Sequence, residues 1–365
     1  MTGREKEILD LIEKNPLMSQ KEIANILGIT RSSVAVHITN LLKKGKILGK
    51  GYIVSKGDDY VSIIGGANMD LQGFPEKQLI LKDSNPGKTK VSLGGVGRNI
   101  GENLTKLNVS TKLISAVGDD MYGKKILDEA RFIGLDMEHS LIIKEEATST
   151  YLSVLNEDGD MEIAISDMEI LNKMSIDFMK GKKSLIEGSN ICILDTNISK
   201  EIIEYVVTNF KDTKFFLDTV STTKSKKVKD IIGKFHTIKP NKIEAEILSG
   251  IKINTKEDLE KVALFFLKKG VKRVFITLGS EGVYYNDGKN KGKINSPKIK
   301  PVNTTGAGDA FVAALTYSYI NNFNIEYTVK FSIAASILAM SHENTINPNF
   351  CAQNINNKMK ELELC

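Results

Sequence analysis

The sequence predicts an α/β fold in which helices cover both faces of a mostly parallel sheet, preceded by a small helical domain. Beyond residue 60, short β-rich runs alternate with amphipathic helical segments, which is the pattern of a parallel sheet with crossover helices. Before that point three short helical segments follow one another, and residues 1–57 carry ten basic and five acidic side chains, while the whole chain has a net charge of +5. We therefore divide the chain into residues 1–57 and 58–365.

The composition is that of an ordinary globular protein. Of the 365 residues, 41% are hydrophobic and 26% are charged. No apolar run approaches the roughly 20 residues that span a bilayer, and the first 15 residues lack the apolar core of a secretory signal. Three scattered cysteines, Cys192, Cys351 and Cys365, show neither paired nor metal-ligand spacing. We therefore expect a cytoplasmic protein without a membrane partner.

The first 57 residues show the pattern of three helices and a hairpin. Apolar spacing predicts a helix over 4–14, and Ser19 begins a second helix with a capping box. Gly28 ends that helix, and Thr30 caps a third. Residues 46–56 alternate apolar and polar side chains around glycines, as a β-hairpin does. The side chains predicted to pack inward are Ile8, Leu11, Ile12, Ile23, Ile26, Leu27, Val34, Ile38, Leu41 and Leu42.

This arrangement resembles a winged helix–turn–helix domain. The resemblance implies DNA binding, with the third helix in the major groove and the hairpin against the phosphate backbone, and paired half-sites would make the protein a homodimer. The residues implied to contact DNA are Arg31, Ser32, Ser33 and His37 at bases or phosphates, and Lys43, Lys44, Lys46 and Lys50 near phosphates. A protein-docking module is the alternative that the pattern leaves open.

Strands and helices alternate along the rest of the chain. The predicted strands are residues 61–66, 112–118, 190–195, 214–220, 235–240 and 273–279, and the predicted helices are 97–107, 122–133, 199–210, 242–249 and 256–269. Polar, β-prone residues over 70–92 and 145–168 predict a small β lid. Ligands of such sheets bind beyond the carboxyl ends of the strands, where the motifs described next are located.

The strongest chemical feature is a glycine-rich turn before the apolar helix within residues 302–320. The backbone N–H groups of Gly306, Ala307 and Gly308 can converge on an anion at the helix N-terminus, where a Cβ would block its approach. Asp309 follows directly, so a carboxylate could take the proton of an attacking hydroxyl beside the bound anion. Taken alone, the same residues also describe an ordinary helix start, and no P-loop motif is present.

Two further glycine clusters lie beside polar side chains that suit a polyol. Residues 94–107 begin with three glycines in four residues, and Asn99 offers both a donor and an acceptor. Residues 65–70 end and follow a predicted strand, which places Asn68 and Asp70 at its carboxyl edge, where a carboxylate can hold two sugar hydroxyls. An Asx-type turn is the structural alternative for Asp70.

These motifs occur in the order that is typical of the ribokinase-like (PfkB) kinase family. The chain resembles that family over residues 60–350. The segments that carry the resemblance are residues 65–70, 94–99, 239–246, 277–285 and 303–311. The resemblance implies a ribokinase-like fold with a β lid and ATP-dependent phosphorylation of a sugar or nucleoside hydroxyl, with Mg²⁺ and, in many members, K⁺.

The resemblance also implies a role for each matching residue. Asp309 is the implied catalytic base, with Gly306, Ala307 and Gly308 as the anion hole. The implied substrate-binding residues are Asn68, Asp70, Gly94, Gly95 and Asn99, and the implied ATP-binding residues are Asn241, Gly279, Ser280 and Gly282. Glu244 is implied to hold Mg²⁺ through water, although Asn241 and Glu244 alone look like ordinary helix-start residues. Asn303 replaces the family's usual Asp in the K⁺ site that includes Thr305, which weakens the prediction of K⁺ dependence.

Within the family, the chain is most similar to pseudouridine kinases. The segments behind this closer resemblance are residues 84–104, 166–171, 193–199, 237–251 and 338–348. It implies transfer of phosphate from ATP to the 5′-hydroxyl of pseudouridine, a C-nucleoside whose uracil ring needs a pocket. Thr150 and Asp167, in the predicted lid, are expected to contact the base edge, although Asp167 could instead start the following helix. A lid would also exclude water from the site.

Three functions therefore stay open on the sequence alone. The first is a pseudouridine kinase with a DNA-binding head, and the second is a kinase for another nucleoside or for a sugar such as ribose. The third is a transcriptional regulator in which the kinase fold senses a ligand without catalysis. Because Asp309 and its glycine-rich turn are retained, the sequence favours an enzyme.

Overall fold

The computed structural model describes residues 1–47, 59–156 and 161–364. Its first part contains three helices: α1 (Gly3–Lys14), α2 (Gln20–Leu27) and α3 (Arg31–Lys43). The predicted caps at Ser19 and Thr30 are present, and Thr2 caps α1 in the same way. The predicted hairpin lies outside the described residues from residue 48 onward.

The three helices share a small apolar core of their own. It is formed by Ile8, Leu9, Ile12, Ile23, Ala24, Val34, Ile38, Leu41 and Ile47. Two of the side chains predicted to pack inward are exposed instead, since Ile26 is 57% and Leu42 is 42% exposed. Leu42 directly follows the buried Leu41 and is turned about 100° from it, and Ile26 lies two residues, or about 200°, after the buried Ala24, so both side chains point away from the core.

The strands of the second part begin at residue 60. In chain order they are β1 (Tyr60–Ile64), β2 (Asn68–Pro75), β3 (Gly87–Gly94), β4 (Ser110–Ile114), β5 (Ala116–Gly118), β6 (Leu141–Ile143), β7 (Thr150–Leu155), β8 (Met161–Asp167), β9 (Ile191–Asp195), β10 (Phe215–Asp218), β11 (Thr237–Ile238), β12 (Arg273–Thr277), β13 (Val283–Asn286) and β14 (Lys291–Ile294). Within the described residues, eight of them form the main sheet in the order β14-β13-β12-β11-β10-β9-β1-β4. From β12 to β4 neighbouring strands are parallel, whereas β13 and β14 add an antiparallel edge.

Helices separate the strands, as the alternating pattern predicts. They are α4 (Val96–Lys106), α5 (Met121–Ile133), α6 (Ile176–Lys180), α7 (Lys183–Glu187), α8 (Lys200–Asn209), α9 (Thr222–Ser225), α10 (Lys242–Ser249), α11 (Lys256–Lys269), α12 (Ala307–Ile320), α13 (Ile325–Met340) and α14 (Ala352–Glu361). Strand β9 shows that both sheet faces are covered: Cys192 and Leu194 join the core that includes α8 and α11, while Ile191 and Ile193 join the core that includes α4. The predicted α/β class, with helices on both faces of a mostly parallel sheet, is confirmed.

The predicted lid segments form a second, smaller sheet. Its order is β3-β2-β7-β8, with β2 and β7 parallel and the two outer pairs antiparallel. Two strand predictions differ from the structure. Residues 112–118 form two strands, because β5 leaves the main sheet to pair with β6. Strand β1 ends at Ile64, and Asn68 belongs to the small sheet. Among the described residues, no helix combines the length and apolar character needed to cross a bilayer.

Candidate active site

Charged side chains end or follow three neighbouring strands at the carboxyl edge of the main sheet. Asp195 ends β9, Asp218 ends β10, and Lys239 directly follows β11. Asp195 and Asp218 are register partners on adjacent strands, and Lys239 Nζ lies 3.4 Å from Asp218 Oδ2. All three side chains are buried. Burial raises the pKa of Asp195 to about 6, against hydrogen bonds from the amides of Gly66 and Asn197 that favour its charged form.

Asp309 lies in the first turn of α12, beside this charged cluster. Its Oδ2 accepts a hydrogen bond of 2.8 Å from Asn99 Nδ2. Burial and the nearby Asp218 carboxylate raise the pKa of Asp309 to about 7, while the bond from Asn99 and the Lys239 ammonium act against that rise. A carboxyl group that titrates near neutrality, next to a fixed amide and an ammonium, can both accept a proton and sit beside a bound anion.

The turn before Asp309 needs its glycines for two different reasons. Gly306 caps α12 in the left-handed conformation, with φ of 82°, and a Cβ there would lie 2.5 Å from the Thr345 carbonyl oxygen. A Cβ on Gly308 would lie 3.5 Å from Lys239 Nζ, so this position borders the ammonium directly. The Ala307 amide lies 3.4 Å from the Thr304 carbonyl. Gly306 therefore shapes the turn and Gly308 keeps the approach to Lys239 open, while the anion-binding role of the Gly306, Ala307 and Gly308 amides stays a prediction.

The glycine-rich segment before α4 brings the small sheet close to the main one. Gly95 caps α4 with φ of 100°, and a Cβ there would lie 2.5 Å from the Gly66 carbonyl oxygen. A Cβ on Gly94 would lie 2.4 Å from the Asp70 carboxylate. Asn68 Nδ2 donates to Asp70 Oδ1 at 2.6 Å, and burial raises the pKa of Asp70. These contacts place Asp70 against the glycine-rich segment that leads into α4, the helix that carries Asn99.

Asn241 and Glu244 form the capping box of α10. Glu244 donates its amide to Asn241 Oδ1 at 2.9 Å, and Glu244 Oε2 accepts from the Asn241 amide at 2.9 Å. The same Oε2 accepts from Thr219 Oγ1 at 2.6 Å, and the Glu244 side chain is buried. The helix-start interpretation is therefore correct as structure. It does not exclude a ligand role, because Asn241 also lines the cavity described next.

A cavity of about 720 Å³ opens between the carboxyl edge of β11 and β12 and the helices α12 and α13. It is lined by Lys239, Asn241, Thr277, Gly279, Ser280, Gly282, Val283, Ser296, Pro297, Lys298, Ile299, Pro301, Thr304, Ala307, Gly308, Phe311, Ile333, Ser336, Ile337 and Met340. The predicted nucleotide residues Asn241, Gly279, Ser280 and Gly282 all belong to it. Its apolar walls and its volume suit a flat, drug-sized ligand, and its inner end reaches Gly308 and Lys239.

The register of the small sheet places the two predicted base contacts, Thr150 and Asp167, relative to Asp70. Thr150 pairs with Met69 and with Asp167, so both lie on the opposite face from Asp70. Asp167 ends β8 and does not start a helix, since Met168 is the position before the next turn. The residues that share Asp70's face and row are Tyr151 and Ser166. Because side chains alternate along a strand, Thr150 and Asp167 cannot contact a ligand from the same face as Asp70, and their role as base contacts stays a prediction.

Asn303 closes the loop that precedes α12. Its Oδ1 accepts from the Thr305 amide at 2.9 Å, and its Nδ2 donates to the Glu343 carbonyl at 3.0 Å. The neutral amide thus satisfies two backbone groups that a carboxylate could not both bind. Among the described residues, no group of three or more His, Cys, Asp or Glu side chains could hold a metal ion by itself.

Comparison with known proteins assigns the family. A profile described as pfkB family carbohydrate kinase matches residues 58–350. The chain belongs to this family. A second profile, described as winged helix-turn-helix DNA-binding, matches residues 1–47. The chain is thus a PfkB kinase of the sugar and nucleoside class, with a helix–turn–helix unit at its start.

Three relatives of this PfkB kinase narrow the comparison. An uncharacterized sugar kinase of Escherichia coli K12 is 35% identical over 356 residues, covering 97% of this chain and 98% of its own length. A pseudouridine kinase of the same organism is 39% identical over 298 residues, covering 81% of this chain and 95% of its own. A solved structure from Clostridium perfringens, which carries a sugar-kinase assignment, is 41% identical with a TM-score of 0.77, covering 84% of this chain and 97% of its own.

In the PfkB kinase's head, the structure separates the predicted DNA contacts. Arg31 and Ser32 are exposed at the start of α3, and Ser33 is half-buried. His37 lies on the flank of the helix with its Nδ1 buried, because it is 140° around the helix from Ser32. Lys44 is paired with the buried Glu5, with 3.0 Å between Nζ and Oε2. His37 is half-buried, Lys44 is exposed but paired with Glu5, and Lys50 lies outside the described residues, so the DNA contacts stay predictions.

Sequence reasoning missed four charged residues of this site. Asp195 and Asp218 each stand in a Leu-Asp-Thr tripeptide at a strand end, at 194–196 and 217–219, and that repetition was a usable signal. Lys239 begins the segment 239–246, which resembles the PfkB family, but no function was predicted for it. Arg98 is buried, donates from Nη1 to Asn99 Oδ1 at 3.3 Å and forms an ion pair with Glu102. It thereby turns Nδ2 of Asn99 toward Asp309.

Proposed function

We propose that this PfkB kinase transfers the γ-phosphoryl group of ATP to the 5′-hydroxyl of pseudouridine. The observation that carries the proposal is the bond between Asn99, on the helix that follows the glycine-rich segment beside Asp70, and Asp309, which directly follows the cavity residue Gly308. The 39% identity to a pseudouridine kinase over most of the chain supports the choice of nucleoside. Another nucleoside or a ribose-like sugar is the alternative substrate within the same chemistry.

Asp309 is proposed as the base. Its carboxylate accepts the proton of the 5′-hydroxyl, whose oxygen attacks the γ-phosphorus while the bond from that phosphorus to the bridging oxygen breaks and ADP leaves. A pKa of about 7 leaves roughly half of Asp309 ionised at neutral pH. The Gly308 amide at the start of α12 and the Lys239 ammonium would stabilise the charge on the transferring group.

The nucleoside is proposed to lie in the cleft between the two sheets. Asp70, held by Asn68, would accept hydrogen bonds from two ribose hydroxyls, while Gly94 and Gly95 let the sugar approach the backbone. Tyr151 and Ser166, which share the face of Asp70, replace Thr150 and Asp167 as the residues proposed to face the uracil ring. The small sheet would act as a lid that excludes water.

ATP is proposed to occupy the cavity of about 720 Å³. Its apolar walls, such as Phe311 and Ile337, would pack on the adenine ring, and its inner end would place the γ-phosphate beside Gly308. The donor chemistry fits Mg²⁺, which prefers oxygen ligands. Asp218 and Glu244 both lie close enough to Lys239 to raise its pKa, so they would supply carboxylates near the phosphates. When bound, Mg²⁺ would neutralise phosphate charge. K⁺ is proposed to bind more weakly than an Asp at 303 would allow.

The head is proposed to bind duplex DNA. The helix–turn–helix match and the absence of any Asp or Glu in α3 favour this partner over a docking role. Two heads on one duplex would read paired half-sites, which makes a homodimer the expected state. Deleting residues 1–57 should abolish salt-sensitive DNA binding and leave phosphoryl transfer intact; unchanged DNA affinity would contradict this proposal.

The test of the kinase proposal is turnover with ATP across a panel of acceptors. Purified protein is incubated with pseudouridine, uridine, adenosine, inosine or ribose, and ADP and the phosphorylated product are measured. We expect kcat/KM to be highest for pseudouridine. A preference for ribose would contradict the nucleoside assignment, while ligand-dependent DNA binding without any phosphate transfer would identify a regulator instead of an enzyme.

A further inference from the structure

The outward face of α3 is methyl-rich at its centre. Val34, Ile38 and Leu41 point into the head's core, so the opposite side of the helix carries Ser32, Val36, Thr39 and Lys43. Val36 is 59% exposed at the middle of that side. A helix face that only contacts solvent normally carries polar side chains along its whole length. Here an exposed valine occupies the centre of α3, between a basic residue at its start and another at its end.

The hydroxyl groups around Val36 are already used inside the helix. Thr39 Oγ1 donates to the Ala35 carbonyl at 2.9 Å, and Ser32 Oγ is 2.9 Å from Thr30 Oγ1. With its hydroxyl turned back to the helix, Thr39 presents its methyl group beside the two methyls of Val36, one turn away. The centre of the face therefore offers apolar contact and no long donor of the kind that reads guanine.

Both ends of α3 carry a cation: Lys43 lies on the side of Val36, and Arg31 lies at the start of the helix, about 140° around the axis from Val36. Arg31 and Lys43 are exposed, and α3 contains no Asp or Glu. They are twelve residues apart, which is about 18 Å along the helix axis. That span lets the two side chains reach phosphates on both sides of a major groove about 12 Å wide. Charge complementarity therefore points to duplex DNA as the occupant of this face.

A second copy of the helix fits the face poorly. A two-fold axis through Val36 would lay two α3 helices antiparallel, so Lys43 at the end of one would approach the start of the other, where Arg31 is attached and α3 offers no carboxylate to pair with it. Like charges in contact at both ends of so small an apolar patch oppose association.

We propose that α3 reads thymine in the major groove, with Val36 and Thr39 against the C5-methyl groups of one or two T·A pairs and with Arg31 and Lys43 on the flanking phosphates. The proposal rests on the DNA-binding function proposed for the head and adds what sequence that head prefers. Thymine methyls are the apolar feature that the major groove displays, and alanine, threonine and similar small side chains contact them.

The test uses the full-length protein and a random-sequence duplex pool. Bound duplexes are selected, the preferred site is determined, and each thymine in it is replaced by deoxyuridine, which removes only the methyl group. We expect this replacement at one or two positions to weaken binding about three- to fivefold per methyl, the value of one buried methyl group. Val36→Ala should weaken binding to the thymine site by a similar factor and should no longer distinguish thymine from uracil there.

The matched control is Leu17→Ala, which removes an 84% exposed side chain that lies off α3. It should leave both affinity and thymine discrimination unchanged. A preferred site in which no methyl matters, or undiminished discrimination by Val36→Ala, overturns the thymine proposal while DNA binding stands. A pool from which nothing is selected contradicts DNA binding itself. A change in sedimentation on Val36→Ala without any change in DNA affinity would assign the face to contact between copies and overturn the proposal.

Discussion

The positions of site residues could be predicted from the sequence more reliably in the main sheet than in the small sheet. At the carboxyl edge of the main sheet, polar residues predicted from separate motifs meet: Asn99 bonds to Asp309, and Asn241 lines a cavity with Gly308. In the small sheet, Thr150 and Asp167 lie on the face away from Asp70. Residues that follow the parallel strands of the main sheet all lie at its carboxyl edge. A strand end predicted one residue too early or too late therefore still places the side chain at that edge.

In a strand with only one face toward a ligand, an error of one residue places the side chain on the wrong face. In the small sheet, Leu71 pairs with Val91 and Leu152, and Leu152 pairs with Ile165, so a complete apolar row crosses the face opposite to Asp70. One step along each strand gives the row of Asp70, Ser92, Tyr151 and Ser166. The difference teaches that a strand residue can be assigned to a ligand only when its register partner is known.

The largest effect on catalysis is expected from replacing Asp309, the proposed base at the carboxyl edge of the main sheet. Asp309→Asn should lower kcat by about 10²–10⁴-fold, because the amide cannot accept the hydroxyl proton. The dissociation constant of pseudouridine should stay within about twofold, since Asn99 can still bond to residue 309. Single-turnover kinetics and calorimetric titration measure the two quantities. Near-normal turnover would exclude Asp309 as the base and with it the mechanism proposed above.

The pH dependence of the same residue gives a second check. Because Asp309 acts in its ionised form with a pKa raised to about 7, kcat/KM should fall about tenfold per pH unit below that value and level off above it. The raised pKa also means that the folded state holds this proton more tightly than the unfolded chain does. Stability should therefore decline as pH rises from about 4 through about 7, and Asp309→Asn should reduce that decline in thermal melts, leaving the part that the raised pKa values of Asp195 and Asp70 contribute. A wild-type profile that is flat through pH 7 would contradict both.

Much of the fold and part of the site followed from the sequence, for identifiable reasons. Periodicity gave α10 and α11 to the residue, because capping residues mark their starts and glycines their ends. The pairing of Lys239 with Asp218 could not be predicted, because it depends on β10 and β11 being neighbours, and strand order is set by packing. The face of Tyr151 depends on register, which is fixed by contacts far apart in sequence.

The next effect is expected where the two sheets meet. Asp70→Asn should raise KM for pseudouridine about 10- to 100-fold, since two charge-assisted hydrogen bonds to the ribose become weaker neutral ones. KM for ATP should change little, because Asp70 does not line the nucleotide cavity. Asp128→Asn, at an exposed position on α5, is the matched control. Equal changes in both KM values would point to a folding defect, and no change in either would remove Asp70 from the substrate site.

A smaller effect separates the two faces of the small sheet directly. Tyr151→Ala should raise KM for pseudouridine about tenfold, because stacking of a base on an aromatic ring contributes about 1–3 kcal/mol. Tyr151→Phe should behave like wild type, since the ring is retained and the hydroxyl only approaches the Met161 sulfur at 3.3 Å. Thr150→Ala, on the other face, should change KM less than twofold. If the Thr150 variant is the one that loses affinity, the register argument for the cleft fails.

The smallest effect is expected at Asn303, in the loop that precedes α12. The Asn303 side chain uses its amide nitrogen on the Glu343 carbonyl and its oxygen on the Thr305 amide. Asn303→Asp keeps the second contact, frees the Glu343 carbonyl and adds a negative charge, so the loop gains two features that attract K⁺. The KCl concentration for half-maximal rate should fall severalfold at constant ionic strength, with kcat changed little. Asn290→Asp adds the same charge at an exposed position on another loop and should leave the K⁺ response unchanged; an identical response of both variants would mean that residue 303 does not control cation binding.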